Sequence, residues 1–280
     1  MPKIKYAIPS HRRADTIGEK TIKMLLDNGV DPDDIQVFIS PDDDYEKVRS
    51  FCEVQVTPAK NVVEKFNYIH NYYPEHTPVV FVEDDIELLK AKGDGKNELL
   101  PFNDLPKLAE QMFELAYEER TKLWGISSNA NPFYMKKSYS VGFKFVVANL
   151  FGFYSTRDPF LAISQQMKSD YERTLLYFVK YGSVCRHDGI CAITKNYRNP
   201  GGLQEIKSSR ARLEDEACRN LVRRFPHLIE INEKKSKTSM YRELKLKTQR
   251  RRGLYDWMAI QKQIDKELQC SNSKVTPSSR

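Results

Sequence analysis

Val79-Val80-Phe81-Val82-Glu83-Asp84-Asp85-Ile86-Glu87 decides how this chain is read. Four apolar residues predict a buried strand, and that strand runs straight into three adjacent acids. Like charges held this close repel one another, and stripping water from them is costly. A divalent cation resolves both problems, because Mg²⁺ or Mn²⁺ takes hard oxygen ligands and leaves positions free for phosphate. Alternation along a strand puts Glu83 and Asp85 on one face and Asp84 on the other. The alternative is a strand end whose acids are simply solvated.

Working outward, strands and helices alternate. A strand over 5–9 leads into the loop Ser10-His11-Arg12-Arg13. Thr16-x-x-Glu19 has the form of a capping box, opening a helix that runs to about Asn28 with Gly29 as its stop. A second strand is expected over 35–40, ending in Pro41-Asp42-Asp43-Asp44, and a third over 54–57. Thr57 is expected to cap a helix from Pro58 to Tyr73, with Val62, Phe66, Ile69 and Tyr73 along one face. This rhythm predicts an α/β fold built on a mainly parallel sheet covered on both faces. Ligands in such sheets sit beyond the carboxyl ends of the strands, where the acids lie.

Further on, residues 91–101 are expected to form a surface loop, 105–120 a helix, 123–127 a strand and 141–154 a long strand or hairpin. Ser169-Asp170-Tyr171-Glu172 opens a helix ending near Tyr181 before Gly182. Short strands are expected over 184–186 and 190–194, then the turn Asn199-Pro200-Gly201-Gly202. A helix with Leu213, Ala217 and Leu221 at four-residue spacing follows, then a last helix over 254–268 and a disordered tail from 271.

Charge divides the chain. Of its 280 residues, 207–280 carry 19 Lys/Arg against 9 Asp/Glu, a net of +10, whereas 1–206 carry 26 against 29, a net of −3. The expected organisation is a catalytic body over 1–206, a basic helical extension over 207–270, and the tail 271–280. An acidic front and a basic back suit a ligand-binding body joined to a polyanion-facing surface. Five cysteines (52, 185, 191, 218 and 270) form no CxxC pair, which fits a reduced, cytoplasmic compartment. No window approaches the roughly 18 apolar residues of a membrane helix, so no membrane partner is expected.

The candidate chemistry lies in a few segments. Arg12 or Arg13, in the loop after the first strand, is a bidentate partner for a diphosphate; the alternative is an exposed basic loop. Neither GxxxxGK[ST] nor a GxGxxG after a strand is present, which removes the P-loop reading and counts against a dinucleotide site. Asp170 is either a helix-terminal cap or the carboxylate that takes a proton from an attacking hydroxyl, while Glu172 is the expected cap partner of Ser169. Asn129 and Asn131, in Ser127-Ser128-Asn129-Ala130-Asn131-Pro132, follow a strand and line a polar pocket or make a plain turn. Arg186, Gly201 and Gly202 are further candidates for substrate contact. Lys245, Lys247, Arg250, Arg251 and Arg252 place five cations in eight residues, a candidate DNA-facing surface or a solvated charge run.

Taken in order, these motifs resemble those of GT-A glycosyltransferases, and within them the TET/JBP-associated family of largely bacteriophage DNA-modifying enzymes. The resemblance rests on Ala7-Ile8-Pro9-Ser10-His11-Arg12-Arg13, on Lys20-Thr21 through Ile35, on Glu83-Asp84-Asp85-Ile86, on Trp124-Gly125-Ile126, on Asn131-Pro132-Phe133-Tyr134-Met135-Lys136, on Asp170-Tyr171-Glu172-Arg173 and on Gly201-Gly202. It spans roughly residues 4–250. It implies a GT-A-like, Rossmann-like fold, a nucleotide-sugar donor, most often a UDP-sugar, and Mn²⁺ or Mg²⁺. The implied acceptor is the hydroxyl of 5-hydroxymethylcytosine or a related base in DNA. By that likeness Asp85 binds the metal, Glu83 and Asp84 contact metal or ribose, Pro9, Ser10 and Arg12 border the nucleotide, and Asp170 is the base. The triplet departs from the usual DxD by starting with glutamate. Two other classes use clustered carboxylates or a basic surface: a metal-dependent nuclease or nucleotidyltransferase, and a non-enzymatic nucleic-acid-binding module. A glycosyltransferase acting on glycans or lipids is a further rival.

Overall fold

The computed structural model describes residues 2–194 and 207–248. Its first half follows the expected rhythm. Strand β1 (Lys5–Pro9) leads through a turn of π-helix (Gly18–Ile22) into α1 (Lys23–Asp27), which stops at Gly29 with φ +80°. Then come β2 (Ile35–Ile39), α2 (Tyr45–Arg49), β3 (Glu53–Val56), α3 (Val62–Tyr72) and β4 (Pro78–Val82). A hairpin of β5 (Ile86–Lys92) and β6 (Leu99–Phe102) precedes α4 (Leu105–Glu118) and β7 (Leu123–Ile126). Strands β8 (Tyr139–Gly142) and β9 (Leu150–Tyr154), helix α5 (Ser169–Tyr181), β10 (Val184–His187) and β11 (Ile190–Thr194) complete the first stretch. Helix α6 (Lys207–Arg224), β12 (Ile229–Ile231), a short α7 (Glu233–Ser236) and β13 (Leu244–Leu246) follow.

Eight strands form one mixed, mainly parallel sheet in the order β3-β2-β1-β4-β9-β7-β10-β8. β1 runs parallel to β2 and β4, β2 to β3, and β7 to β10, while β9 is antiparallel to both of its neighbours and β8 to β10. Period-two alternation assigns each strand to two cores. Ala7, Phe38, Val79 and Phe81 face α3, α5 and α6, while Tyr6, Ile8, Val37, Val80 and Val82 face α1 and α4. Because both faces are covered, the strands read as continuous apolar runs. Gly152 of β9 lies directly against the Trp124 indole, where any Cβ would collide with the ring.

Four local expectations are corrected. Thr16 makes no capping box: its hydroxyl hydrogen-bonds to the Arg13 carbonyl, at 3.4 Å, and the helix starts at Gly18. Helix α3 is capped by Asn61 and not Thr57, because Asn61 Oδ1 accepts from Glu64 N at 3.0 Å while Glu64 reaches back to Lys60 N at 2.8 Å. Residues 91–101 belong largely to the β5–β6 hairpin, which with β11 makes a second, antiparallel sheet. Within 141–154, β8 and β9 are neither one strand nor a hairpin, since β8 pairs with β10 and β9 lies between β4 and β7.

Residues 207–248 share the body's core: Cys218, Leu221, Phe225, Ile229 and Leu244 pack in the same cluster as Phe66 and Leu176. Among the described residues no helix is long and apolar enough to cross a membrane. The expected helix over 254–268 and the tail from 271 lie outside the described residues, as do Gly201, Gly202, Arg250, Arg251 and Arg252.

Candidate active site

The acids of 83–85 line a cavity of about 820 Å³. It opens where the carboxyl ends of β1 and β4 meet the start of α5 and the end of β11. The strand stops at Val82, so the alternation that would separate Asp84 from its neighbours stops with it. The chain turns, and one guanidinium reaches both aspartates: Arg13 pairs with Asp84 and lies 3.2 Å from Asp85. The expectation that Asp84 faces away from Asp85 is thereby corrected. Thr21 holds the turn, donating to the Glu83 carbonyl at 2.8 Å and accepting from Ile86 N at 2.9 Å.

Two more hydroxyls fix the carboxylates. Ser10, placed in line with the sheet by its N–H to the Phe38 carbonyl, donates to Asp84 at 2.9 Å. Thr194, at the end of β11, donates to Asp85 at 3.1 Å. Arg12 takes φ +54°, a left-handed conformation that costs a non-glycine residue energy and clusters at functional sites. The twist sends Arg13 inward and Arg12 outward, where Arg12 meets the exposed Asp42 at 3.3 Å.

Electrostatics set this turn apart. Burial pushes the Glu83 carboxyl up to about 8, and the charges of Asp85, Asp84 and Asp170 push in the same direction. Burial also raises Asp84, partly offset by Arg13, and raises Asp170, offset by Arg173. Asp170 stands in the first turn of α5, its carboxylate accepting from the Tyr171 N–H at 2.9 Å. The residue before that helix, Lys168, lines the cavity and is also strained, with φ +57°.

Pro9, Ser10, Arg13, Glu83, Asp84, Asp85 and Asp170 all line the cavity. Arg12, Asn129, Asn131 and Arg186 do not. Asn129 and Asn131 organise their own loop, Asn129 accepting from Asn131 N and Asn131 from Phe133 N. Arg186 is held by Asp188 at 2.6 Å and by the Phe145 carbonyl at 3.2 Å. Lys245 pairs with Glu230 at 2.9 Å, and Lys247 donates to the Pro226 carbonyl at 2.6 Å, both away from the cavity. Glu172 is no cap: it is fully buried, accepts from Ser164 and Gln165, and pairs with Arg224 at 2.6 Å.

Several lining residues escaped the sequence reading. Lys65, 2% exposed, donates to the Ser10 carbonyl and lies 3.8 Å from Asp43. A signal existed, since Lys65 falls three residues after Val62 and four before Ile69, on the apolar stripe of α3. Arg173 is also buried, donates to the Val146 and Val147 carbonyls, and lies 3.5 Å from the centre of the Phe151 ring. Its place one turn after Asp170 was the available hint. Lys168, Arg210 and Glu214 come together only through folding, with Lys168 3.3 Å from Glu214.

As a cation site, the turn offers oxygen donors only, the set that suits Mg²⁺ or Mn²⁺. Among the described residues, the group whose three ligand atoms lie within 4.8 Å of one another is His11, Asp42 and Asp43, not the 83–85 turn. Asp43 is already engaged by the backbone N–H groups of Ser40 and Arg12. The 83–85 acids therefore form no closed cage. An ion held there by Asp85 and Glu83 would keep positions for phosphate and water, which is how Mg²⁺ sites are usually built.

No protein-family model matches this chain, nor does any curated protein. Solved structures do resemble it. S. aureus TarS 1–349 in complex with UDP-GlcNAc is 12% identical, with a TM-score of 0.47 over 80% of this chain and 73% of that one. Mannosyltransferase PcManGT from Pyrobaculum calidifontis, in complex with GDP-Man and Mn²⁺, is 14% identical, with a TM-score of 0.49 over 79% of this chain and 64% of that one. In a further TarS 1–349 structure the match has a TM-score of 0.46, and this chain spans 58% of that one; against the longer TarS chain it spans 35%. Identities this low leave the functional reading to the geometry of this chain.

Proposed function

We propose that this chain is a metal-dependent glycosyltransferase that moves a sugar from a nucleotide-sugar, a UDP-sugar, to the hydroxyl of a hydroxymethylated pyrimidine such as 5-hydroxymethylcytosine in DNA. One observation carries the reading: Arg13, the 83–85 acids and Asp170 converge on a single cavity at the carboxyl ends of β1 and β4. Such crevices are where open α/β sheets bind nucleotides.

Each side chain then has a task. Arg13 offers a planar fork of donors to a diphosphate, which would release it from Asp84 and Asp85. Asp85, with Glu83, would hold Mn²⁺ or Mg²⁺, whose bound charge would neutralise the departing diphosphate. Asp170 takes the acceptor's proton, and its raised basicity strengthens it for that step once it is ionised. The acceptor oxygen bonds the anomeric carbon as the bond from that carbon to the diphosphate oxygen breaks, and the nucleoside diphosphate leaves with the electron pair. The buried Arg173, one turn from Asp170, favours the ionised carboxylate.

The DNA acceptor is supported by the motif resemblance and by the +10 charge of residues 207–280. Helix α6 adds Arg212, Arg219 and Arg223 on its exposed face. In this reading Lys245, Lys247 and the run Arg250-Arg251-Arg252 face phosphate.

Incubation with UDP-glucose, Mn²⁺ and a duplex carrying 5-hydroxymethylcytosine tests the reading by mass spectrometry. The expected product is an intact strand heavier by one hexose, with Asp170→Asn lowering kcat by about 10²- to 10⁴-fold while UDP still binds. Strand scission in place of sugar transfer would point to a nuclease. Absence of manganese-assisted UDP binding would remove the donor site altogether.

A further inference from the structure

The loop that follows β7 begins on the cavity wall and ends as an exposed aromatic platform. Ser127, Ser128 and Ala130 line the cavity, and three residues later the loop presents Phe133 and Tyr134, 59% and 67% exposed. Three residues of chain span at most about 10 Å, so this platform adjoins the cavity wall. Tyr139, 48% exposed, closes the same segment. Single exposed apolar residues are ordinary, but two exposed rings in contact, with a third five residues on, call for an occupant.

The platform is built, not loose. Asn131 caps the short turn Pro132–Tyr134 by accepting from Phe133 N at 3.0 Å. The Phe133 and Tyr134 rings meet edge to face, with centroids 5.0 Å apart and planes at 88°. Backbone hydrogen bonds from Lys136 N to the Asp188 carbonyl and from Asp188 N to the Ser138 carbonyl anchor it to the turn between β10 and β11. The backbone there packs so closely that a Cβ on Gly189 would lie 2.8 Å from the Lys136 carbonyl. Tyr139 stands edge-on to His187, centroids 4.8 Å apart.

Cations surround the rings. Lys96 lies 5.7 Å from the Phe133 centroid, Lys136 and Lys137 are exposed, and Lys137 pairs with the exposed Asp94 at 2.6 Å. Open aromatic faces interleaved with lysines match a chain of stacked bases joined by phosphates. A neutral glycan would gain from the rings but nothing from the positive charge.

We propose that this loop docks the DNA strand carrying the acceptor base: Phe133 and Tyr134 stack on bases flanking the target, and Lys96, Lys136 and Lys137 pair with its phosphates. The inference rests on the DNA-acceptor reading above, and it names residues other than those of the basic C-terminal run.

The test uses the full chain and an oligonucleotide with 2-aminopurine next to 5-hydroxymethylcytosine, whose fluorescence falls when the base stacks on an aromatic ring. The double variant Phe133→Ala/Tyr134→Ala is expected to abolish the quenching on binding and to raise the KM for DNA about tenfold or more. Its melting temperature and UDP affinity stay unchanged. Replacing Lys96, Lys136 and Lys137 with Gln is expected to reduce the slope of log affinity against log salt by about 2 to 3. If the wild type glucosylates hydroxymethylated DNA and the double variant matches it in quenching and KM, the docking inference falls and the acceptor reading stands. If the wild type binds UDP but neither binds nor modifies DNA, the acceptor reading fails and takes this inference with it.

Discussion

Two strands of the same sheet, β2 and β4, which flank β1, are fully buried five-residue runs that each lead into three acids, yet the acids do opposite work. After β2, Asp43 accepts from Ser40 N at 2.7 Å and from Arg12 N, and Asp44 caps α2 by accepting from Lys47 N at 3.1 Å. These carboxylates satisfy backbone donors, which is a structural use. The exposed Asp42, next to them, is held below the usual carboxylate range by its own backbone N–H and by Arg12. After β4 the acids are met by side chains, Arg13, Ser10 and Thr194, and burial pushes Glu83 and Asp84 the other way. An acidic turn that stabilises its own backbone needs no ligand. One that is desolvated and mutually repelling is kept for something it binds.

Substitution should therefore produce mirror-image results in the two turns. Asp85→Asn is expected to lower kcat roughly 10³-fold, the loss of several kcal/mol of charge stabilisation. Its melting temperature should stay level or rise, because a crowded negative charge is gone. Asp43→Ala should do the reverse. Its side chain is 3% exposed and lies 3.8 Å from the buried Lys65, so deletion leaves a buried cation short of its partner. The expected cost is about 3 kcal/mol in denaturant unfolding, with kcat per folded molecule preserved. If Asp43→Ala instead spares stability and removes UDP binding, the two turns are not different in kind.

The pH dependence of activity sharpens the contrast only where the fold survives, and His70 sets that limit. It lies buried in α3, its ring 5.2 Å from Phe153 and its Nε2 2.8 Å from the Tyr177 hydroxyl. Burial pushes its pKa down to about 4. The unfolded imidazole, near 6.5, takes the proton more readily, so the stability from keeping His70 neutral is present above pH 6.5 and lost as pH falls towards 4. That amounts to about 3 kcal/mol over the window. Urea unfolding of wild type and His70→Gln from pH 7 to pH 4 should show the slope in the first and a flatter line in the second. Activity losses on the acid side are then assigned to Asp170 only after this correction.

How much of this was legible in the chain depends on how far apart the partners stand. The buried strands β1, β2 and β4 were legible because both faces are covered, and Gly29 and Gly182, at φ +80° and +74°, marked where α1 and α5 stop. The β5–β6 hairpin was not, because a polar, glycine-containing turn with the composition of a loop separates its strands, and β5 becomes a strand by pairing with β6 and with β11, about 100 residues away. Glu172 was misread for the same reason. Its local role as a cap lost to Arg224, 52 residues away. In the site, the acids announced themselves, but the choice between the 42–44 and 83–85 turns did not. That choice depends on Arg13 reaching Asp84 across 71 positions and on Thr194 reaching Asp85 across 109. The cations on the cavity wall, Lys65 and Arg173, were visible in principle as charges on apolar helical stripes.

The smallest effect closes the comparison at its most local point. Asp44 is exposed, and its carboxylate caps α2 by accepting from Lys47 N. Asp44→Ala should cost about 1 kcal/mol, a fall in melting temperature of a few degrees, while Asp44→Ser should recover most of it because a hydroxyl accepts the same N–H. Neither change should alter kcat or the KM for a UDP-sugar. A difference of several-fold in either constant would mean that the β2 turn reaches the donor after all, and that capping and ligand binding are shared by one acidic triplet instead of divided between two.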